Sequence, residues 1–273
     1  MNKKNNNLSL NTIKENKLSI QFNLDGFSFS IYNTASKKDV YFCEHDFETA
    51  KTTPENLLLK IEEIFKTDIQ LQSDFISITV IHQNSLAALV PNRFFNKNKL
   101  ASYLDFNVKT FSTDFITFDT LESLDSKNIY IPYVNINNYL FQNFGAFEYK
   151  HHHTVLIEKL LKRNKSTAKT MYVNVSKSTL DIVVLESDQL LLCNTFSYTS
   201  KEDFVYYLLF VAEQLQLDVL EFPLYFTGKI TLETALYKSS YQYIKNVYFL
   251  ESTNSIFSAF KIPSHANFIL LGS

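Results

Sequence analysis

Glycine is scarce in this chain, with 4 residues in 273, where average usage is about 7%. Loops that wrap phosphate need backbone at positive φ and close approach, which glycine supplies most cheaply, so the shortage bears directly on any nucleotide chemistry. Cysteine occurs only as Cys43 and Cys193. Two are too few for a disulfide framework, and both lie in apolar, strand-like runs that suit small buried hydrophobes. Charge of one sign is also missing. The 26 Lys and Arg stand against 28 Asp and Glu, and no long basic run offers phosphate-backbone contacts, which argues against nucleic acid as partner. No window reaches the roughly 18 consecutive apolar residues of a membrane span, and Met1 to Asn7 lacks the apolar stretch of a signal peptide. The expectation is a cytoplasmic protein.

Aromatics are abundant. Phe (25) and Tyr (16) are frequent although Trp is absent. After a polar stretch over residues 1–16, expected to be a loose tail, the apolar residues recur with period two: Leu18, Ile20, Phe22, Leu24, then Phe27, Phe29, Ile31, then Val40, Phe42. This predicts a three-stranded meander whose first turn is Asp25-Gly26. Thr53-Pro54-Glu55 is an N-cap, a proline at the first helical position and an early acid, opening a helix to about Phe65. Strands are predicted over 75–82 and 86–91. Between Asn96 and Lys150 shorter elements follow: a helix over 97–104, strands near 114–119 and 128–133, a helix near 135–143 and a strand at 146–150.

The second half repeats this order. A helix over 154–163 and a polar break lead into a second meander, "MYVNVSKSTLDIVVLESDQLLLCNTFSY" (171–198). A capping-box helix from Ser200 to about Leu217 comes next. Then come a strand (224–228), a helix (231–243), a strand (246–250), a helix (253–260) and a last strand (268–272). Shifting the first hairpin by 151 positions lays Phe22 on Val173, Leu24 on Val175, Phe29 on Leu180 and Ile31 on Ile182. The matched order of elements points to an internally duplicated α/β protein with subdomains over 17–150 and 151–273.

Three antiparallel strands, a helix, then strands alternating with helices, all duplicated, resemble the actin-like ATPase fold of actin, sugar kinases and heat-shock chaperones. More closely, "LSIQFNLDGFSFSIY" with the later "LAALVPNRFF" resembles an uncharacterised bacterial family, domain of unknown function 3822, for which an actin-like fold is implied. The resemblance implies a ribonuclease H-like mixed sheet flanked by helices in each subdomain, with ATP and Mg²⁺ as possible cofactors.

It also implies three loops to inspect. The first phosphate loop of the superfamily is Asp-x-Gly-Thr/Ser. Here Asp25-Gly26-Phe27-Ser28 has the composition, but the glycine is one place early, and the other register puts Asn23 where an aspartate belongs. The second loop is Asp-Ile-Gly-Gly, and this chain has Asn174-Val175-Ser176-Lys177. An amide cannot supply the charge that holds a hydrated Mg²⁺. Lys177 offers a point charge to phosphate, although a solvated turn lysine is the plainer reading. The third loop, beside the adenosine, is a strand ending in Gly-Gly, and "LYFTGKITLETAL" keeps Gly228 with Lys229 as the second residue. If nucleotide binds, Asp25, Gly26, Ser28, Ser176, Lys177 and Gly228 are the contacts. Asp181 lies inside the next strand, so the second loop has no carboxylate.

His151-His152-His153 suggests a metal, yet no Cys, Asp or Glu stands nearby at a recognisable ligand spacing, so no metal site is expected. Cys43, Glu44 and His45 do not read as a catalytic dyad, and no catalytic residue is assigned. The runs at 139–153 and 204–215 carry more aromatics than one helix face needs, which points to another protein or self-association as partner. The sequence thus favours a non-catalytic actin-like scaffold. The alternative is an active Mg-ATP-dependent ATPase or kinase using Asp25 for the metal.

Overall fold

A computed structural model describes residues 15–47 and 53–271. The tail expected over 1–16 lies outside these except for its last two residues. The chain divides into two compact units, residues 1–83 with 132–150 and residues 84–131 with 151–273. Residues 84–131, expected in the first subdomain, cluster with the second half.

The first unit is built on a sheet of order β3-β2-β1-β4-β8. Its strands are β1 (Asn16–Asn23), β2 (Gly26–Asn33), β3 (Lys38–Asp46), β4 (Ser77–His82) and β8 (Glu148–His151). β1 pairs antiparallel with β2 and parallel with β4. The period-two pattern sends Leu18, Ile20, Phe22, Phe27, Phe29 and Ile31 to one face. There they meet Leu57, Ile61 and Phe65 of α1 (Pro54–Thr67) and Ile136 and Leu140 of α3 (Val134–Phe144). The Thr53 hydroxyl accepts from Asn56 N–H and Pro54 sits in the first turn, the start predicted from sequence.

The second unit carries two sheets. The larger, of order β11-β10-β9-β12-β13, comprises β9 (Thr170–Val175), β10 (Thr179–Glu186), β11 (Gln189–Ser197), β12 (Pro223–Gly228) and β13 (Asn246–Phe249). Position for position this is the strand order of the first unit. Met171, Val173, Leu180, Ile182, Leu224 and Phe226 pack on one face with Phe204, Leu208 and Val211 of α5 (Lys201–Gln214). The capping box expected at Ser200 is present, closed by Asp203. All six residues of β9 are buried, so both faces of its centre are covered. The smaller sheet has order β5-β7-β6, from β5 (Ala87–Pro91), β6 (Thr117–Leu121) and β7 (Ser126–Tyr130), with α2 (Leu100–Leu104) beside it. Among the described residues the unit also has the helices α4 (His152–Arg163), α6 (Ala235–Tyr243), α7 (Ile256–Phe260) and α8 (Phe268–Leu271).

One predicted strand changes. The last strand, 268–272, is a helical turn over its described residues, α8, whose Phe268 and Ile269 carbonyls accept from Lys159 Nζ of α4. A short apolar run does not reveal its period. The histidine run is not extended either. His151 ends β8 and caps α4, and His152 and His153 form the helix's first turn. No helix among the described residues is long and apolar enough to cross a membrane.

Candidate functional site

The three loops singled out by sequence are all hairpin ends or strand ends, and each is closed by its own chain. In the first unit the tight turn is Leu24–Asp25, and Gly26 already pairs with Asn23 inside the ladder. The turn expected at Asp25-Gly26 therefore sits one residue earlier. The Asn23 side chain accepts from Asp25 N–H at 2.9 Å, an Asx turn that uses the amide where an aspartate would face metal. Gly26 is needed for space: a Cβ there would lie 2.8 Å from the His45 carbonyl oxygen of β3. Ser28 is buried within β2, cross-strand from Gln21 and Glu44. Burial first, then the charge of Asp25, raises the Tyr133 phenol to about 12.

In the second unit Ser176 N–H donates to Thr179 O at 2.9 Å, and Ser176 O accepts from the Tyr198 hydroxyl at 2.6 Å. Lys177 is exposed at the tip of this hairpin. Gly228 has φ +83°, and a Cβ would fall inside contact distance of Val175 O. Its N–H donates to His265 O at 2.9 Å, and Lys229 N–H donates to Val175 O at 2.7 Å. His265 is anchored in turn through Nε2 to Ile230 O and by stacking on Phe249. Ser176, Lys177 and Gly228 are thus neighbours, but the amides of Ser176 and Gly228 that would cradle a phosphate already have backbone acceptors. The residues present do not fit a phosphate cradle of the actin-like type.

Behind these loops runs a buried polar chain that sequence reasoning missed. Thr227 Oγ1 donates to Asn174 Oδ1 at 3.2 Å, and Asn174 Nδ2 donates to Asp181 Oδ2 at 2.9 Å. Asp181 Oδ1 accepts from Thr195 Oγ1 at 2.6 Å and lies 3.1 Å from His152 Nε2 and 3.6 Å from His153 Nε2. His153 Nε2 is 2.8 Å from Thr195 Oγ1. Asp181 is 1% exposed and His152 fully buried, so these charges are screened by each other and not by water. Burial works against the Asp181 charge, but His152 and His153 hold its carboxyl well below the usual range. Burial also works against charge on His153, yet the Cys193 sulfur and Asp181 raise it to about 10. The carboxylate missing for the histidine run is Asp181, brought by β10 from 28 residues beyond His153. Only the i, i+2 alternation that places Asp181 on the face opposite Leu180 and Ile182 hinted at it.

His151 has a different task. Its Nδ1 accepts from His153 N–H at 3.2 Å and Asn128 Nδ2 at 3.1 Å, so Nε2 carries the proton toward Asn84 O. Burial, then the neighbouring histidines, push it well below its ordinary pKa and keep it neutral. Asp119 of β6 accepts from His151 N–H, Thr154 Oγ1 and Tyr130 OH, tying the start of α4 to the small sheet. Beside His153, Cys193 and Thr195 a cleft of about 1340 Å³ opens between β5 and β11, each an edge strand of its sheet.

The family model for a protein of unknown function, DUF3822, matches residues 5–247. The chain belongs to DUF3822. No curated protein matches it by sequence. Among solved structures, this DUF3822 member is similar to a Bacteroides thetaiotaomicron protein with an actin-like ATPase fold and unknown function, at 22% identity, 97% coverage of both chains and a TM-score of 0.81. It is similar also to the PilM-PilN type IV pilus biogenesis complex (10% identity, 93% of this chain and 96% of that one, TM-score 0.61). A third likeness is to the ethanolamine utilization protein EutJ of Carboxydothermus hydrogenoformans (9% identity, 94% and 87%, TM-score 0.50). The DUF3822 chain has the actin-like ATPase fold: mixed α/β, with two mixed sheets of matching strand order flanked by helices.

Proposed function

We propose that this protein is an actin-like scaffold that binds another protein and has lost the phosphate chemistry of its fold by an internal exchange of hydrogen-bond partners. The observation that carries the reading is that Ser176 N–H and Gly228 N–H, two amides of the phosphate and adenosine loop counterparts, donate to Thr179 O and His265 O. A phosphate would have to displace both bonds. No carboxylate replaces the missing aspartate, because Asn174 stands there and is itself bonded to Asp181. The equal strand order of the two sheets, β3-β2-β1-β4-β8 and β11-β10-β9-β12-β13, supports descent from a duplicated α/β unit.

A partner surface is offered by residues 94–115, where Phe94, Phe106, Phe111 and Phe115 are all exposed, Phe106 at 88%. Four exposed phenylalanines so close in sequence are more than scattered surface apolars explain. A second face is the stacked Tyr206–Phe210 pair on α5. The likeness to PilM, found in a complex with PilN, favours the same use of the fold. The test is thermal unfolding with and without millimolar Mg·ATP. The scaffold reading predicts an unchanged midpoint; stabilisation of several degrees that disappears in Asp25→Ala overturns it and restores the ATPase.

A further inference from the structure

His152, His153 and Asp181, all buried, each bring one possible ligand atom within 4.8 Å of the other two. They come from separate elements, the first turn of α4 and the middle of β10. The Asp181 oxygen is 3.1 and 3.6 Å from the two imidazole nitrogens. Ligands at about 2.0–2.1 Å around a tetrahedral Zn²⁺ are separated by roughly 3.3 Å, so the observed edges bracket the value a metal requires. We propose that His152, His153 and Asp181 bind one Zn²⁺, with the fourth position left to water from the cleft that His153 and Thr195 line.

The groups around the three ligands are those such a site uses. Asn174 Nδ2 donates to Oδ2 of Asp181, leaving Oδ1 for the metal and fixing the carboxylate plane. Thr195 Oγ1 reaches both Asp181 Oδ1 and His153 Nε2, the position from which a hydroxyl bonds a metal-bound water. His151, which caps the helix and stays out of the set, holds His153 N–H and so fixes the first turn of α4. A nitrogen and oxygen donor set of two imidazoles and one carboxylate suits Zn²⁺ over Mg²⁺ or Ca²⁺, which require mostly oxygen. Binding releases the protons now shared in the cluster and leaves one negative charge of Asp181 against the dication.

A second group, Cys43, His45 and Asp68, is half-exposed on the other unit and is the competing location. The test uses full-length protein produced with added Zn²⁺. Elemental analysis after gel filtration should find about one Zn²⁺ per chain. Replacement by Co²⁺ should give the visible bands of a four-coordinate nitrogen and oxygen site. His153→Gln, which keeps a side-chain donor facing Thr195, should weaken binding at least about tenfold. Asp181→Asn should abolish it, and Cys43→Ser should leave it unchanged. Folded wild-type protein that retains no metal and shows no cobalt bands overturns the proposal. So does metal retained in full by His153→Gln, or metal lost in Cys43→Ser.

Discussion

At the scale of single residues, one substitution tests space and two imidazoles test charge. Gly228 has φ +83° and no room for a Cβ beside Val175. Gly228→Ala should therefore lower stability by about 2–4 kcal/mol, from strained backbone plus forced displacement of β9. Urea unfolding measures it. His82 is a pH probe in the other unit. Its Nδ1 accepts from Tyr133 N–H and its Nε2 donates to Asn137 Oδ1, which fixes a neutral tautomer. Burial pushes its pKa down to about 4, against the Asn137 bond, which favours the charged form. The unfolded chain takes up this proton near pH 6.5 and the folded one only near 4. The stability is therefore full above 6.5 and falls as the pH drops toward 4, by about 3 kcal/mol in all. His153 acts in the opposite sense without metal: its contribution is full below about 6.5 and is lost as pH rises through about 10. NMR titration of the two imidazoles in metal-free protein should show His82 neutral at pH 5 and His153 charged at pH 8.

At the scale of elements, the start of α4 is the junction on which the second unit depends. Asp119 of β6 accepts three hydrogen bonds there, from His151 N–H, Thr154 Oγ1 and Tyr130 OH. Asp119→Ala leaves buried donors unmatched and should cost about 2–4 kcal/mol by denaturant unfolding, whereas Glu213→Ala, at an exposed helix position, should cost little. The element order was largely legible in the sequence. Thr53-Pro54 and Ser200-Lys201-Glu202-Asp203 are cap signals, and the alternation in β1, β2, β9 and β10 marks the face that packs on the helices. The histidine run was not legible. Its role as helix cap and ligand cluster depends on Asp119, Asn128 and Asp181, which approach only through tertiary pairing. The segment 268–272 reads as a strand in sequence, but its four apolar residues fit either period and fold as the turn α8.

At the scale of the molecule, the fold is an ATPase fold whose loop amides are turned inward. The composition is in keeping with this, since 4 glycines in 273 residues leave few positions for backbone at positive φ. What composition could not show is which acceptors took over, because His265 reaches Gly228 from 37 residues downstream. If the exposed phenylalanines of 94–115 form the partner surface, Phe106→Ser with Phe111→Ser should abolish binding of the partner or, if the partner is a second copy, shift the protein to a monomer in sedimentation velocity. The unfolding midpoint should move little, because both side chains are exposed. On the proposed scaffold reading the Ser176 and Gly228 amides stay bonded to Thr179 O and His265 O when nucleotide is present. Amide hydrogen exchange at these two residues, with and without millimolar Mg·ATP, tests it most directly. Equal, slow exchange is expected in both conditions. Protection that appears only when Mg·ATP is added would contradict it.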